Sequence, residues 1–369
     1  MDDRHSHLAA ITHVVHRYFL WLLIGSYALA GLVPTWGLSI RSVSFGYVTL
    51  WGETTHISLP MVMLAFLLLN AGLGVQTGRL KELLQAPRVL LVGLAANVLV
   101  PVAFIFGVSM LMRLWHNSDE AQIILIGLAL VAAMPIAGSS TAWTQNANGD
   151  LALGLGLVLA STFLSPLTTP VTFGLVEPIA TGPYRRVLDQ LQGNGTGALL
   201  IVCVLLPSLL GIAARPMIGV RSLTAAKPGL KLVNLVNLLL LNYSNASVSL
   251  PQTVADPDWD FLAVTLIIVT GLCVFAFGSA WLLARVLKAD AAQRTSLMFG
   301  LGMNNNGTGL VLASMLVVNH PTVLLPIIFY NLVQHLVAGA VDLFLTRTPP
   351  AASSDPVPAA LAPALRKAG

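Results

Sequence analysis

The 369-residue sequence predicts an all-α polytopic membrane protein of ten transmembrane helices, arranged as two inverted five-helix repeats with discontinuous fourth and ninth helices. Three observations carry that expectation: the composition, the spacing of the charges, and two polar interruptions at matching places. Hydrophobic residues make up 56% of the chain and charged residues only 9%, with a mean hydropathy of +0.81. Soluble domains carry about 25% charged residues, so this chain cannot cover a globular surface with charge. The bilayer is the solvent it fits.

The charges mark out the spans. Residues 18–40, 54–78, 89–112, 121–149, 151–176, 190–214, 232–255, 261–284 and 295–341 contain no Asp, Glu, Lys or Arg. A helix needs about 20 apolar residues to cross the hydrocarbon core, so the first eight runs fit one span each. The ninth run, 47 residues long, holds two, parted near Asn319, His320 and Pro321. Cys203 and Cys273 both fall inside spans, where they act as small apolar residues. The N-terminal MDDRHSHLAAITHVVHRYFLWLL lacks a short apolar core followed by a small-residue cleavage site, so the first span is expected to be retained.

Orientation follows from the basic residues, which favour cytoplasmic loops. With the N-terminus inside, 15 of the 19 Lys and Arg residues fall on the cytoplasmic side, and only Arg41, Arg113, Arg185 and Arg186 fall outside. Asp119, Glu120, Asp256, Asp258 and Asp260 cluster in outer loops. An error in span number would scramble this asymmetry, so it supports the count as well as the direction. The expected setting is the cell inner (plasma) membrane, multi-pass, with both termini cytoplasmic. The net charge of +4 reflects this topology, and no nucleic-acid motif competes with it. The organisation is a first repeat over 1–176, a polar linker over 177–193, a second repeat over 194–346, and a Pro-, Ala- and Ser-rich cytoplasmic tail over 347–369 expected to be disordered.

An odd number of spans per half makes the halves run in opposite directions, a recurring transporter architecture. The fourth span of each half carries an interruption. In the first half it is AAMPIAGSSTAWTQNANGD, with Pro135 and Gly138 ahead of a hydroxyl and amide cluster; in the second it is GLGMNNNGTGL, residues 300–310. Proline removes a backbone donor and glycine weakens a helix, so both predict a break at membrane depth. Non-helical backbone there is tolerated only where protein buries it or where it lines a cavity, because unpaired amides cost several kcal/mol in hydrocarbon. A half-helix beginning at a break offers N–H groups to an anion, and one ending there offers carbonyls to a cation. The two segments therefore read as halves of a midplane binding site. The plainer alternative, in which Ser, Thr and Asn bond a neighbouring helix and Gly permits close packing, suits either motif alone better than the matched pair.

At these residues the sequence resembles the bile acid:sodium symporter family. PIAGSST stands where that family carries a P-G-G-T-x-S-N-like turn, SPLTTP at residues 165–170 matches its S-P-L-x-T-P run, GLGMNN stands for E-x-G-M-Q-N, and F-Y-N-L occupies 329–332. The likeness extends over nearly the whole chain. It implies a core and a panel domain, with the two broken helices crossing in the core, and secondary active transport of a small organic anion by alternating access, driven by sodium. Carried over residue by residue, it places sodium at Asn97, Ser140, Thr141, Gly300, Leu301, Met303 and Asn304, and the substrate at Gly138, Ser139, Asn305 and Asn331. The departures are specific. Gly300 stands where the family has its sodium-binding glutamate, Gly154 and Val158 stand where the fifth span supplies hydroxyls, and no carboxylate remains in the core region. Losing a directly ligating anion removes the main compensation for burying a cation, so degenerate sodium sites with at most one sodium are expected. Sodium as coupling ion is the one cofactor implied.

His335 in the tenth span adds a second coupling option, since histidine titrates near physiological pH and an intramembrane ionisable residue marks a functional site; helix-to-helix bonding is the plainer reading. It joins the candidate substrate site. Asp150 is expected to cap the fifth span. Three function classes remain: the anion transporter, coupled to sodium, to protons or to neither; a transporter-like ligand sensor; and an intramembrane enzyme. The last needs a nucleophile with a base, paired carboxylates or a metal cluster, and the spans supply none, so no enzyme is expected. The expected partners are a small organic anion and the lipid bilayer. Bile acids, keto acids and pantoate-like acids are not distinguished by these residues, and the oligomeric state stays open, a monomer being compatible.

Overall fold

A computed structural model describes residues 18–50, 53–75, 87–316 and 320–347. The expected disordered tail and the basic residues of the N-terminal segment lie outside the described residues. The chain is overwhelmingly helical, but it is not all-α. After α1 (Phe19–Leu32) and α2 (Thr35–Ser42), an antiparallel hairpin forms from β1 (Ser44–Leu50) and β2 (Glu53–Ser58), pairing Tyr47 with His56 and Thr49 with Thr54. Charge spacing alone had assigned 54–58 to a span. The local residues decide otherwise: Phe45, Tyr47, Val48, Thr54, Thr55 and Ile57 are the aromatic and β-branched types that suit a pleated ribbon. Gly46, at φ 108°, takes the left-handed backbone of the irregular step between Ser44 and Tyr47.

The first expected span is bent. Val33 and Pro34 separate α1 from α2, and the two axes meet at 91°. Then follow α3 (Leu59–Gly74), α4 (Pro87–Met112), α5 (Ser118–Ala132), α6 (Ser140–Asn146) and α7 (Leu151–Val176). The expected linker is itself ordered as the amphipathic helix α8 (Gly182–Gln192), which buries Tyr184, Val187, Leu188 and Leu191. Next come α9 (Asn194–Leu200), a π-helical turn over Ile201–Leu205, and α10 (Leu206–Ile218). The remainder is α11 (Val220–Ala246), α12 (Leu250–Ala255), α13 (Trp259–Val286), α14 (Ala291–Gly302), α15 (Asn306–Leu316) and α16 (Leu324–Arg347). Among the described residues, five stretches are helical, long and apolar enough to cross a bilayer: Pro87–Met112, Leu151–Ile179, Thr196–Ile218, Trp259–Val286 and Pro321–Leu345; the bent pair makes six. The remaining expected spans are short, interrupted or partly polar.

Caps fix the helix starts. Asn117 accepts from the amides of Asp119 and Glu120 to open α5, Asp258 accepts from Phe261 N to open α13, and Asp290 with Gln293 forms a capping box on α14. As expected, Asp150 caps α7 by accepting from Leu153 N at 3.0 Å. Packing divides the helices into two groups. α1, α2, α3, α10, α11 and α12 lie against one another, and α4 to α7 pack with α13, α14 and α16. In the first group α3 and α10 touch backbone to backbone. A Cβ added at Gly211 would overlap the Leu69 carbonyl oxygen and lie 2.9 Å from Leu73 N, and one at Gly72 would overlap the Ser208 carbonyl. Backbone cannot step aside as a side chain can. Gly211→Ala is expected to destabilise the protein by about 1–3 kcal/mol through overpacking. Gly107→Ala, with open space around its Cβ, is the control in the same detergent melting experiment.

Candidate functional site

The site begins with two helices that stop. α5 ends at Ala132, seven residues of non-helical chain follow, and α6 starts at Ser140. α14 ends at Gly302, and α15 starts at Asn306 after Met303, Asn304 and Asn305. Pro135 and the small residues around it end the first helix. The amide-rich run ends the second, with Met303 extended at φ −129° and ψ 114°.

The two breaks cross and pair with each other. Ile136 and Asn304 form an isolated antiparallel bridge, in which Ala137 N donates to Met303 O at 2.9 Å and Asn305 N donates to Pro135 O at 2.8 Å. Side chains take up further freed backbone groups. Ser161 Oγ accepts from Ile136 N at 3.1 Å, Thr169 Oγ1 donates to Ala133 O at 2.7 Å, and Asn304 Nδ2 donates to Val131 O at 2.9 Å. Tyr330 Oη donates to Gly302 O at 3.3 Å. Unpaired, each of these backbone groups would cost several kcal/mol in an apolar setting, so the bonds named here hold the crossing together. Sequence reasoning found both strands of this crossing.

A chain of amides leads away from it. Asn304 N donates to Gln334 Oε1 at 3.0 Å, Gln334 Nε2 donates to Asn331 Oδ1 at 3.3 Å, and Asn331 Nδ2 donates to Tyr27 Oη at 2.7 Å and to Asn242 Oδ1 at 3.2 Å. Asn331 therefore joins α16 to α1 and α11. Gln334, Tyr27 and Asn242 were missed in the sequence. The signal for Gln334 was its place three residues after Asn331, on the same helical face. His335, one turn beyond Asn331 on α16, is half-buried with its ring edge-on to Phe19 of α1 at 5.9 Å.

The two half-helices after the breaks differ in surroundings. On α6, Ser140 and Thr144 are each 1% exposed, whereas Gly138, Ser139, Ala142, Gln145 and Asn146 are exposed or half-buried. On α15, Leu310, Val311, Leu312 and Ala313 are all 0% exposed, enclosed by α3, α5, α8, α11 and α16. Exposed Ser, Gln and Asn on a helix at membrane depth line water in preference to lipid.

Several buried side-chain oxygens on α4, α6, the second break and α15 have no hydrogen-bond partner: Asn97 Oδ1, Ser140 Oγ, Thr144 Oγ1, Asn304 Oδ1, Asn306 Oδ1 and Thr308 Oγ1. The first, second and fourth belong to the expected sodium set. Thr141 Oγ1 instead donates to Gly138 O at 2.8 Å. Thr144, not anticipated as a site residue, lies one turn beyond Ser140. A Cβ at Gly154 would lie 3.4 Å from its Oγ1, so this hydroxyl projects over the position where the fifth span lacks one. The space beside Gly300 is filled. Leu157, fully buried, would meet a Cβ at Gly300 at 3.0 Å and one at Gly93 at 2.9 Å, wedging α7 between α4 and α14. Leu301 and Met303 are buried as well. Trp143, near the first break, stacks on Phe299 with centroids 6.1 Å apart, a packing role.

Comparisons with known proteins show the family. The SBF-like CPA transporter family matches residues 17–347. In Bacillus subtilis (strain 168), the protein named Uncharacterized sodium-dependent transporter YocS is 24% identical over 285 residues, 76% of this chain and 80% of its own length. Uncharacterized protein YbaS of the same organism is 27% identical over 225 residues, 60% of this chain and 69% of its own. The protein of Oryza sativa subsp. japonica named Probable sodium/metabolite cotransporter BASS1, chloroplastic, is 26% identical over 293 residues, 77% of this chain and 66% of its own. The match across nearly all of the described chain, together with its apolar helices, makes this a multi-pass membrane transporter. The chain belongs to the SBF-like CPA transporter family, a bile acid:sodium symporter-like family, as its crossing motifs implied.

Proposed function

We propose that the protein is a secondary transporter of a small organic anion, working by alternating access around the Ile136–Asn304 crossing. The carrying observation is that crossing: two interrupted helices hydrogen-bonded to each other, with the first turns of α6 and α15 directed away from it. The positive end of the dipole at such helix starts attracts negative charge. Gly138 and Ser139 are the exposed pair at the α6 end and Asn305 is half-buried at the α15 end, which supports them as the substrate contacts. The exposed α6 face and the sealed α15 correspond to one open and one closed side. With ten spans as two inverted repeats and a cytoplasmic N-terminus, the open side is cytoplasmic.

For coupling, the unpartnered oxygens of Asn97, Ser140, Thr144 and Asn304 support a single sodium ion held by neutral ligands. Sodium in the printed names of two relatives points the same way. Leu157 over Gly300 argues against a second, carboxylate-held ion. The alternatives are a sodium-independent or proton-coupled carrier, or a ligand sensor, and no enzymatic step is part of this reading. Uptake of radiolabelled organic acids into proteoliposomes tests it. Ser139→Leu is expected to lower initial uptake about tenfold, the factor for 1.4 kcal/mol of lost binding. Uptake unchanged in this variant and in Asn305→Leu would defeat the proposal.

A further inference from the structure

The two helix groups are tied together on the sealed side, and one tie is unusual. Arg41, in the last turn of α2, is half-buried and donates from Nη1 to Asn245 Oδ1 at 2.8 Å and from Nη2 to Ser314 O at 3.1 Å. Both acceptors are neutral, and no carboxylate pairs with this guanidinium among the described residues. Its charge is favoured instead by position, because Asn245 lies in the last turn of α11 and Ser314 in the last turn of α15, where helix dipoles are negative.

The two bonds differ in kind. α2 is fixed to α11: Tyr243 Oη donates to Val33 O, and a Cβ at Gly37 would overlap Ser247 Oγ. The Arg41 to Asn245 bond therefore lies within one body. The Arg41 to Ser314 bond joins that body to α15, whose residues from Asn306 to Ser314 are all buried. An acidic partner would make such a tie hard to release, whereas a backbone carbonyl at a helix end is readily rehydrated.

Resting on the alternating-access reading above, we propose that Arg41 is the latch that keeps the α15 side shut: its guanidinium holds α2 and α11 to the end of α15, and this bond breaks when that side opens.

The test is accessibility. Ala313 is 0% exposed and adjoins Ser314, while Gln145 is exposed on α6. Each is changed singly, Ala313→Cys or Gln145→Cys, in a full chain carrying Cys203→Ala and Cys273→Ala, and labelled in proteoliposomes with a membrane-impermeant maleimide from either side. Arg41→Gln is expected to raise the labelling of Ala313→Cys about tenfold, the factor one hydrogen bond to a charged group supports. Arg41→Lys, which keeps the charge but cannot fork to two acceptors, should give a smaller rise, and it carries the test if the glutamine variant fails to fold. Equal labelling of Ala313→Cys with Arg41 intact, with Arg41→Gln and with Arg41→Lys, while the site still reacts slowly, would overturn the latch and leave alternation standing. Ala313→Cys unreactive in every variant, with Gln145→Cys reactive from one side only, would overturn both.

Discussion

Asn304→Leu is expected to lower transport roughly thirtyfold while leaving the protein folded. Leucine has nearly the shape of asparagine, so the change removes polarity and little volume. The Asn304 amide group donates to Val131 O at 2.9 Å, clamping the end of α5 to the break between α14 and α15, and its Oδ1 is buried with no partner. The lost bond leaves a carbonyl that still accepts from Met134 N, so the stability cost is about 1–2 kcal/mol. Transport depends on more than that one bond. The clamp sets how the first turns of α6 and α15 approach each other, and the unpartnered oxygen is among the groups assigned to the coupling ion. Losing about 2 kcal/mol of ion and substrate binding lowers uptake roughly thirtyfold. Initial uptake and melting temperature, measured together, separate the two effects: a large loss of uptake with a small loss of stability is expected, and a proportionate loss of both would make Asn304 a packing residue. Gln334→Leu, alone and combined with Asn304→Leu, tests coupling along the amide chain, since residues in one network should not add.

How far the sequence anticipates this site depends on which physical signal each part leaves. Pro135, Gly138 and the run from Gly300 to Gly307 are local breakers in an apolar stretch, so both interruptions were legible. That they come together was read from their matched positions and implied by the family resemblance, but the Ile136–Asn304 bridge was not, because it joins residues 168 positions apart through backbone groups that leave no trace in side-chain identity. The hairpin over Ser44–Ser58 was hidden for a different reason: absence of charge marks a span and a short apolar ribbon alike, and only the β-branched content of the segment separates them. Thr144 was read as part of the polar cluster of the first break but not as a site residue, because its burial over Gly154 is a tertiary fact. Arg41 was placed correctly near the end of a span but read only as one of four outer charges. Leu157 illustrates the same limit, since a leucine in an apolar helix is unremarkable until Gly93 and Gly300 are found on either side of it.

That leucine yields the second large prediction, Gly300→Glu. On its own the change should be severely destabilising. The new Cβ would meet Leu157 Cδ1 at 3.0 Å and Ile136 Cδ1 at 3.9 Å, and the carboxylate would be buried with no basic partner nearby. Overpacking and an unpaired buried charge together cost about 4 kcal/mol or more. Combined with Leu157→Ser, the overlap is relieved, and the carboxylate adds to the proposed sodium ligands Asn97, Ser140 and Asn304, whose buried oxygens have no partner. A cation bound there compensates the charge, and a ligand that binds only the folded state raises its stability. The double variant should therefore melt at a higher temperature in sodium than in potassium at equal ionic strength, by a margin well above that of Leu157→Ser alone. A native protein with one weak, carboxylate-free ion site should show only a small sodium effect in the same experiment. If the double variant folds and its melting temperature is the same in both salts, these oxygens are not a cation seat, and the coupling of this transporter lies elsewhere.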